Sequence, residues 1–266
     1  MNEKVMERRW AVVTGASRGI GFHLAAGLVG RGYGVVIVAR DEQRLERARE
    51  ELTGLGGEVV ALRMDLSEQG AAQRLHAECQ ERGLEVEVLA NNAGMFAYRD
   101  LADCTAERVG QMVRLNVATT TELCRLFVGD MRARGRGYIL NMSSYASWLP
   151  MAGLGLYGAS KSYLRELSYA LRDDEVRESG VSVTVALPAG VATELYGLGE
   201  RYRRLGVRLG VLGRPERVAE RALRGLFAGR RRVGPGVMYR MIVPLLRHLP
   251  RYIKVAVRKK TLGFQK

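Results

Sequence analysis

The sequence predicts an α/β fold: a doubly wound parallel sheet of about seven strands with helices on both faces, then a helical C-terminal extension. Three observations predict it. Short apolar runs alternate with helix-length segments over roughly the first 190 residues, the pattern of right-handed strand–helix–strand crossovers. The first run feeds a glycine-rich turn that opens a helix. Several polar segments, among them Asp65, Asn91-Asn92-Ala93-Gly94, Ser144 and Pro188, fall at the ends of apolar runs. In such sheets ligands bind beyond the carboxyl ends of the strands.

The elements follow in order. Trp10 to Thr14 is a buried strand, and Gly15-Ala16-Ser17-Arg18-Gly19-Ile20-Gly21 leads into a helix through Gly30. Glycines let the backbone approach phosphate oxygens, and a helix N-terminus offers free N–H groups and a positive dipole end. The spacing is G-x-x-x-G-x-G, and its setting is that of a dinucleotide site. Gly34 to Ala39 is the second strand. An acidic residue at its end would hold a ribose 2′-hydroxyl; the chain has Arg40 there, which with Arg18 could clamp a 2′-phosphate. Asp41 comes next and fits the cap of a helix over Glu42 to Leu52. NADP(H) is therefore expected ahead of NAD(H).

Glu58 to Met64 is a third strand closed by Asp65-Leu66, a helix follows to about Arg82, and Val86 to Ala90 is a fourth strand. Apolar spacing from Ala106 to Arg134 predicts one long helix with Asn116 in its middle, a residue that needs either a tertiary partner or solvent there. Tyr138 to Ser144 is a fifth strand, a helix runs to about Glu178, Val181 to Leu187 is a sixth strand, Pro215 to Phe227 a helix, and Arg230 to Val233 a last edge strand. The length suits one domain, placed at 1–236, with a composition, 47% hydrophobic and 26% charged, that supports a large core.

The helix after the fifth strand carries Tyr157 and Lys161, four apart and so on one face. A free phenol has a pKa of about 10 and exchanges protons poorly at neutral pH. A neighbouring ammonium favours the phenolate, and a phenol tuned this way can protonate a carbonyl oxygen or take a proton from an alcohol. Alone, Tyr-x-x-x-Lys is a weak signal.

Together, the segment from Thr14 to Gly21, Asp65, Asn91-Asn92-Ala93-Gly94, Asn116, Ser144 and Tyr157-x-x-x-Lys161 resemble the short-chain dehydrogenase/reductase family, in order and in spacing, over about residues 8–195. The resemblance implies a Rossmann-like fold and a hydride-transferring enzyme of the NADPH-preferring type. It implies that Tyr157 is the general acid or base, that Lys161 lowers the Tyr157 pKa and binds the nicotinamide ribose, and that Ser144 orients the substrate oxygen. Asn116 is implied to hold a bend and a water of a proton relay. Gly15, Ser17, Arg18, Gly19, Ile20 and Gly21 are implied to line the pyrophosphate and adenosine end. Asp65 and Leu66 would touch the adenine, and Asn92, Ala93 and Gly94 the adjoining ribose region. Pro188, Gly190 and Val191 are implied to contact the cofactor, and Thr193 stands where the family's threonine binds the nicotinamide carboxamide. Ala189 stands where the family usually has glycine. The family also implies a dimer or tetramer.

Residues 191–213 mix apolar and arginine side chains and read as a lid over a hydrophobic substrate or as the end of the core. The net charge is +14, yet from Leu198 onward there are 19 basic and 3 acidic residues. In the extension, 237–266, Arg240, Arg247, Arg251, Lys254 and Arg258 fall in one helical sector, at about 100° per residue. That basic amphipathic pattern reads as contact with an anionic membrane surface, an acidic carrier protein or a second subunit. No nucleic-acid motif accompanies the charge. Three scattered histidines and three cysteines without a C-x-x-C pair give neither a metal site nor a disulfide framework. The polar N-terminus and the lack of a membrane-length apolar run lead to an expected cytoplasmic location, with peripheral contact at the inner membrane face. The expected activity is reduction of a lipid-like or steroid-like ketone, or the reverse. The alternatives are a 3-oxoacyl-[acyl carrier protein] reductase and a non-catalytic NADP-binding scaffold, the last opposed by the filled catalytic positions.

Overall fold

The computed structural model describes residues 9–148, 151–175, 179–196, 199–209 and 212–234. The basic extension and the lid positions 197–198 and 210–211 lie outside the described residues. The apolar runs form β1 (Trp10–Thr14), β2 (Gly34–Ala39), β3 (Val59–Arg63), β4 (Val86–Asn91), β5 (Gly137–Met142), β6 (Val181–Ala186) and β7 (Arg232–Val233). They make one parallel sheet in the order β3-β2-β1-β4-β5-β6-β7. The crossovers diverge on either side of the β1–β4 pair, and a crevice opens where they part.

The helices are α1 (Gly19–Val29), α2 (Glu42–Gly54), α3 (Ala71–Glu81), α4 (Ala106–Val113), α5 (Thr120–Arg134), α6 (Gly155–Glu175), α7 (Glu200–Arg208) and α8 (Pro215–Phe227). Successive strand side chains point to opposite faces. Val13, Val35 and Ile37 pack with Leu24, Leu28, Leu52 and Leu223 from α1, α2 and α8. Val12, Val36 and Leu89 pack with Leu75, Leu123, Phe127 and Met131 from α3 and α5. Each such side chain contributes roughly 1.5–3 kcal/mol when fully buried. The two cores together fix the strand ends that carry the polar residues.

Asp41 caps α2, its carboxylate accepting from the Arg44 N–H at 3.1 Å. The expected single helix over 106–134 is not continuous. Between α4 and α5 the backbone widens into a π-helical turn, Arg114–Thr119, at the centre of which Asn116 is fully buried. A buried amide must find partners. Its Oδ1 accepts from the Met95 N–H at 2.8 Å, and its Nδ2 donates to the Met95 carbonyl at 3.0 Å and to Ser160 Oγ at 3.1 Å. One wide turn barely shifts the apolar stripe, which is why the spacing alone looked like an unbroken helix.

Candidate active site

A crevice of about 650 Å³ lies beyond the carboxyl ends of the strands. One end is built by the turn after β1. Gly15 and Gly19 adopt φ of 66° and 56°, a region that penalises other residues. Helix α1 opens without a side-chain cap, in contrast to α2, so its first N–H groups remain available to an anion. Ser17, Arg18, Gly19 and Ile20 line the crevice, and so do Arg40, Asp65 and Leu66.

Gly21 does not line it; a Cβ there would stand 2.2 Å from the Gly15 carbonyl and 2.5 Å from Asn92 Nδ2. Its role is close packing beneath the turn. Asn92 Nδ2 donates to the Thr14 and Gly15 carbonyls at 3.0 and 3.1 Å. The Thr14 hydroxyl accepts from the Asn92 and Ala93 N–H groups, both at 3.0 Å, joining the exit of β1 to that of β4.

Burial works against ionisation of Asp65, but two hydrogen bonds from Ser67, at 2.8 and 2.7 Å to Oδ1, and the charge of Arg40 hold its carboxyl below the usual range. Arg40 is well exposed, 4.0 Å from Asp65 Oδ2. Two residues that the sequence did not single out also line this end. Arg44 comes from the first turn of α2, and Glu194 from the 3-10 turn Glu194–Tyr196. The Glu194 carboxylate pairs with Arg18 and accepts from Arg44 Nη1 at 2.9 Å. Asp41 is the local signal for Arg44, three residues before it. Nothing local marks Glu194, whose partners are 150 and 176 residues away.

The other end holds Ser144, Tyr157 and Lys161, all buried and all lining the same crevice. Helix α6 is set against β5 by two bonds: Ser143 Oγ donates to the Lys161 carbonyl at 2.7 Å, and Lys161 Nζ donates to the Met142 carbonyl at 2.9 Å. The ammonium lies 5.9 Å from the centre of the Tyr157 ring. Burial pushes the Lys161 pKa down to about 8, so it remains largely charged at neutral pH. Gly94 admits this side chain; a Cβ at that position would come within 3.2 Å of Lys161 Nζ and 3.4 Å of Asn116 Oδ1. The Tyr157 ring meets Phe96 edge-on at 4.9 Å, and an apolar group including Met95, Met112 and Leu156 surrounds it. Ser144 Oγ accepts from the Ala146 N–H at 3.1 Å.

Ala93, Gly94, Pro188, Val191 and Thr193 line the crevice. Gly190 and Asn116 do not. The Gly190 carbonyl accepts from the Gly213 N–H at 2.8 Å and faces a neighbouring cleft. Asn116 stands behind the wall on the Met95 backbone.

An uncapped helix end with glycines beneath it, arginines at one end and a phenol beside an ammonium at the other thus share one crevice. Residues 9–199 match the profile described as short chain dehydrogenase, and the chain belongs to that family. It is 32% identical over 196 residues to the 17-beta-hydroxysteroid dehydrogenase type 3 of Danio rerio, covering 71% of this chain and 62% of that protein. It is 34% identical over 193 residues to the very-long-chain 3-oxoacyl-CoA reductase of Anas platyrhynchos, covering 70% of this chain and 61% of that one. The chain thus spans about three-fifths of the length of these relatives. Among solved structures, a short-chain dehydrogenase from Sphingobium yanoikuyae in complex with NADPH superposes with a TM-score of 0.77 at 27% identity, covering 92% of this chain and 97% of that one. Among the described residues no helix is long and apolar enough to cross a membrane.

Proposed function

We propose that the chain is an NADPH-dependent reductase of a hydrophobic, lipid-like or steroid-like ketone, reversible to oxidation of the alcohol. The observation that carries the reading is the convergence of Ser144, Tyr157 and Lys161 on the crevice that also receives the uncapped end of α1. The residues fit a dinucleotide: backbone N–H groups and the turn glycines for the pyrophosphate, Arg18, Arg40 and Arg44 for a 2′-phosphate, and Lys161 for ribose hydroxyls. Bound there, a nicotinamide supplies or accepts the hydride. Ser144 Oγ and the Tyr157 hydroxyl face the developing charge on the substrate oxygen, and Tyr157 gives the proton in reduction or takes it in oxidation. The Lys161 ammonium favours the phenolate by charge. Asn116 holds the wall that positions Lys161. The apolar group around Tyr157 and the names of the relatives support a lipid-like or steroid-like substrate.

A panel of bulky ketones and alcohols, followed by absorbance with NADPH and NADH, tests the reading. Tyr157→Phe should bind NADPH with little change while losing about 10³-fold or more in kcat. A Tyr157→Phe enzyme that turns over normally would falsify the assignment of the proton donor. A second reading, favoured by the oxoacyl-CoA reductase relative, is reduction of a 3-oxoacyl thioester at the same site.

A further inference from the structure

A second cleft, of about 1040 Å³, lies between α7 and α8. It shares Pro188, Val191, Ala192, Arg203 and Pro215 with the crevice, so the two are continuous at the wall formed by the chain after β6. Six arginines line it: Arg203, Arg204 and Arg208 from α7, Arg214 just before α8, and Arg217 and Arg221 within α8. Two carboxylates line it as well, and both are engaged. Glu200 pairs with Arg204, and Glu216 lies 3.2 Å from His23 Nε2. Arg203, Arg208, Arg214 and Arg217 form no ion pair with any described residue. Residues 235–266, outside the described residues, hold eight basic and no acidic side chains, so that stretch brings no counter-anion.

A solvated basic face is the ordinary fate of such residues, but a face is convex and spreads its charges. Here arginines on two helices and the segment between them converge on one concavity whose floor includes Val218, Ala222 and Val233. Clustered guanidiniums over an apolar floor favour an anion of several charges carrying an uncharged arm, and planar guanidinium forks suit phosphate.

We infer that the α7–α8 cleft binds the phosphorylated nucleotide handle of an acyl thioester, coenzyme A in chemical class, while the acyl carbonyl reaches Tyr157 through the shared wall. The inference rests on the thioester reading of the proposed function. The four guanidiniums that lack an ion pair among the described residues match the three phosphate groups of such a handle, and the apolar floor suits its uncharged arm.

The test titrates the full chain, saturated with NADPH so that an adenine nucleotide cannot occupy the cofactor crevice. The probes are coenzyme A and pantetheine, which has the same thiol arm without the phosphates. Coenzyme A should bind at least about tenfold tighter than pantetheine, less so as salt rises. Arg214→Gln/Arg217→Gln should lose about tenfold in coenzyme A affinity with NADPH affinity unchanged. If that pair loses NADPH binding through misfolding, Arg208→Gln provides the same comparison. A kinetic arm compares one 3-oxoacyl chain as its coenzyme A and its N-acetylcysteamine thioester. The arginine variant should raise KM for the first alone and leave kcat intact. Equal binding of coenzyme A and pantetheine, or an effect of the variant confined to an acidic carrier protein or to anionic vesicles, overturns the inference. If the wild type reduces neither thioester but coenzyme A still binds through these arginines, the site stands and the thioester reading falls. If both thioesters are reduced alike and coenzyme A does not bind, the reverse holds.

Discussion

Lys161 shows how one buried charge ties stability to chemistry. Its pKa falls from an ordinary 10.5 to about 8 because burial penalises the ammonium. Below pH 8 the side chain is charged folded and unfolded, and the folded state bears the whole penalty. Between about pH 8 and 10.5 the unfolded chain holds a proton that the folded chain has released, so stability rises with pH. Across that window the gain is on the order of 3 kcal/mol. Urea unfolding at pH 7.5 and 10.5 should show wild type gaining this much relative to Lys161→Met; parallel profiles would contradict it. Glu194 makes a second prediction at this scale. Its carboxylate occupies Arg18 and Arg44, the guanidiniums proposed for the 2′-phosphate. All three side chains are about half exposed, so the pair is worth at most about 1 kcal/mol. Glu194→Gln should tighten NADPH by up to about fivefold and leave NADH unchanged, as read by fluorescence titration. Identical changes for both nucleotides would count against competition at the phosphate.

At the scale of elements, the turn between β1 and α1 tolerates little. Gly21→Ala would drive a methyl into the Gly15 carbonyl and the Asn92 amide, and should destabilise the fold by about 1–3 kcal/mol while weakening NADPH. Unchanged thermal melting would show that the turn yields more readily than its packing suggests. Asn116→Ala would leave the Met95 N–H and carbonyl without their partner, at a cost of about 2–4 kcal/mol in denaturant unfolding.

These elements also show what a sequence discloses. The central strands were legible because they are buried on both faces and so read as unbroken apolar runs. Asp41 and Pro215 marked helix starts, since caps act locally. The π turn left no trace, because a single wide turn preserves the apolar spacing on either side of it. Most of the expected crevice residues line the crevice because each follows directly from a strand end. Gly21 and Asn116 sit one layer behind, where their partners are backbone atoms that no spacing rule identifies. The Glu194 pairs join distant segments, a coincidence fixed only when β6 is laid down with three strands between it and β2.

For the whole molecule, charge and catalysis are segregated. From Leu198 onward there are 19 basic and 3 acidic residues, whereas the preceding body holds nearly equal numbers of each sign. The crevice is made mostly by the balanced part, while all six arginines of the cationic cleft come from the start of the basic part. A chain ending at Gly236 should retain NADPH binding but lose co-sedimentation with anionic vesicles, to an extent that falls with added salt. Unchanged vesicle binding would exclude residues 237–266 as a membrane-contacting segment.

The Thr14 hydroxyl, bonded at once to the Asn92 and Ala93 amides, has a consequence for selectivity. With the Asn92 amide on the Thr14 and Gly15 carbonyls, it rivets the exit of β1 to that of β4, so a planar carbonyl entering beside them meets a set mould on that bank. The choice between its two faces would then be made by shape, before any proton moves.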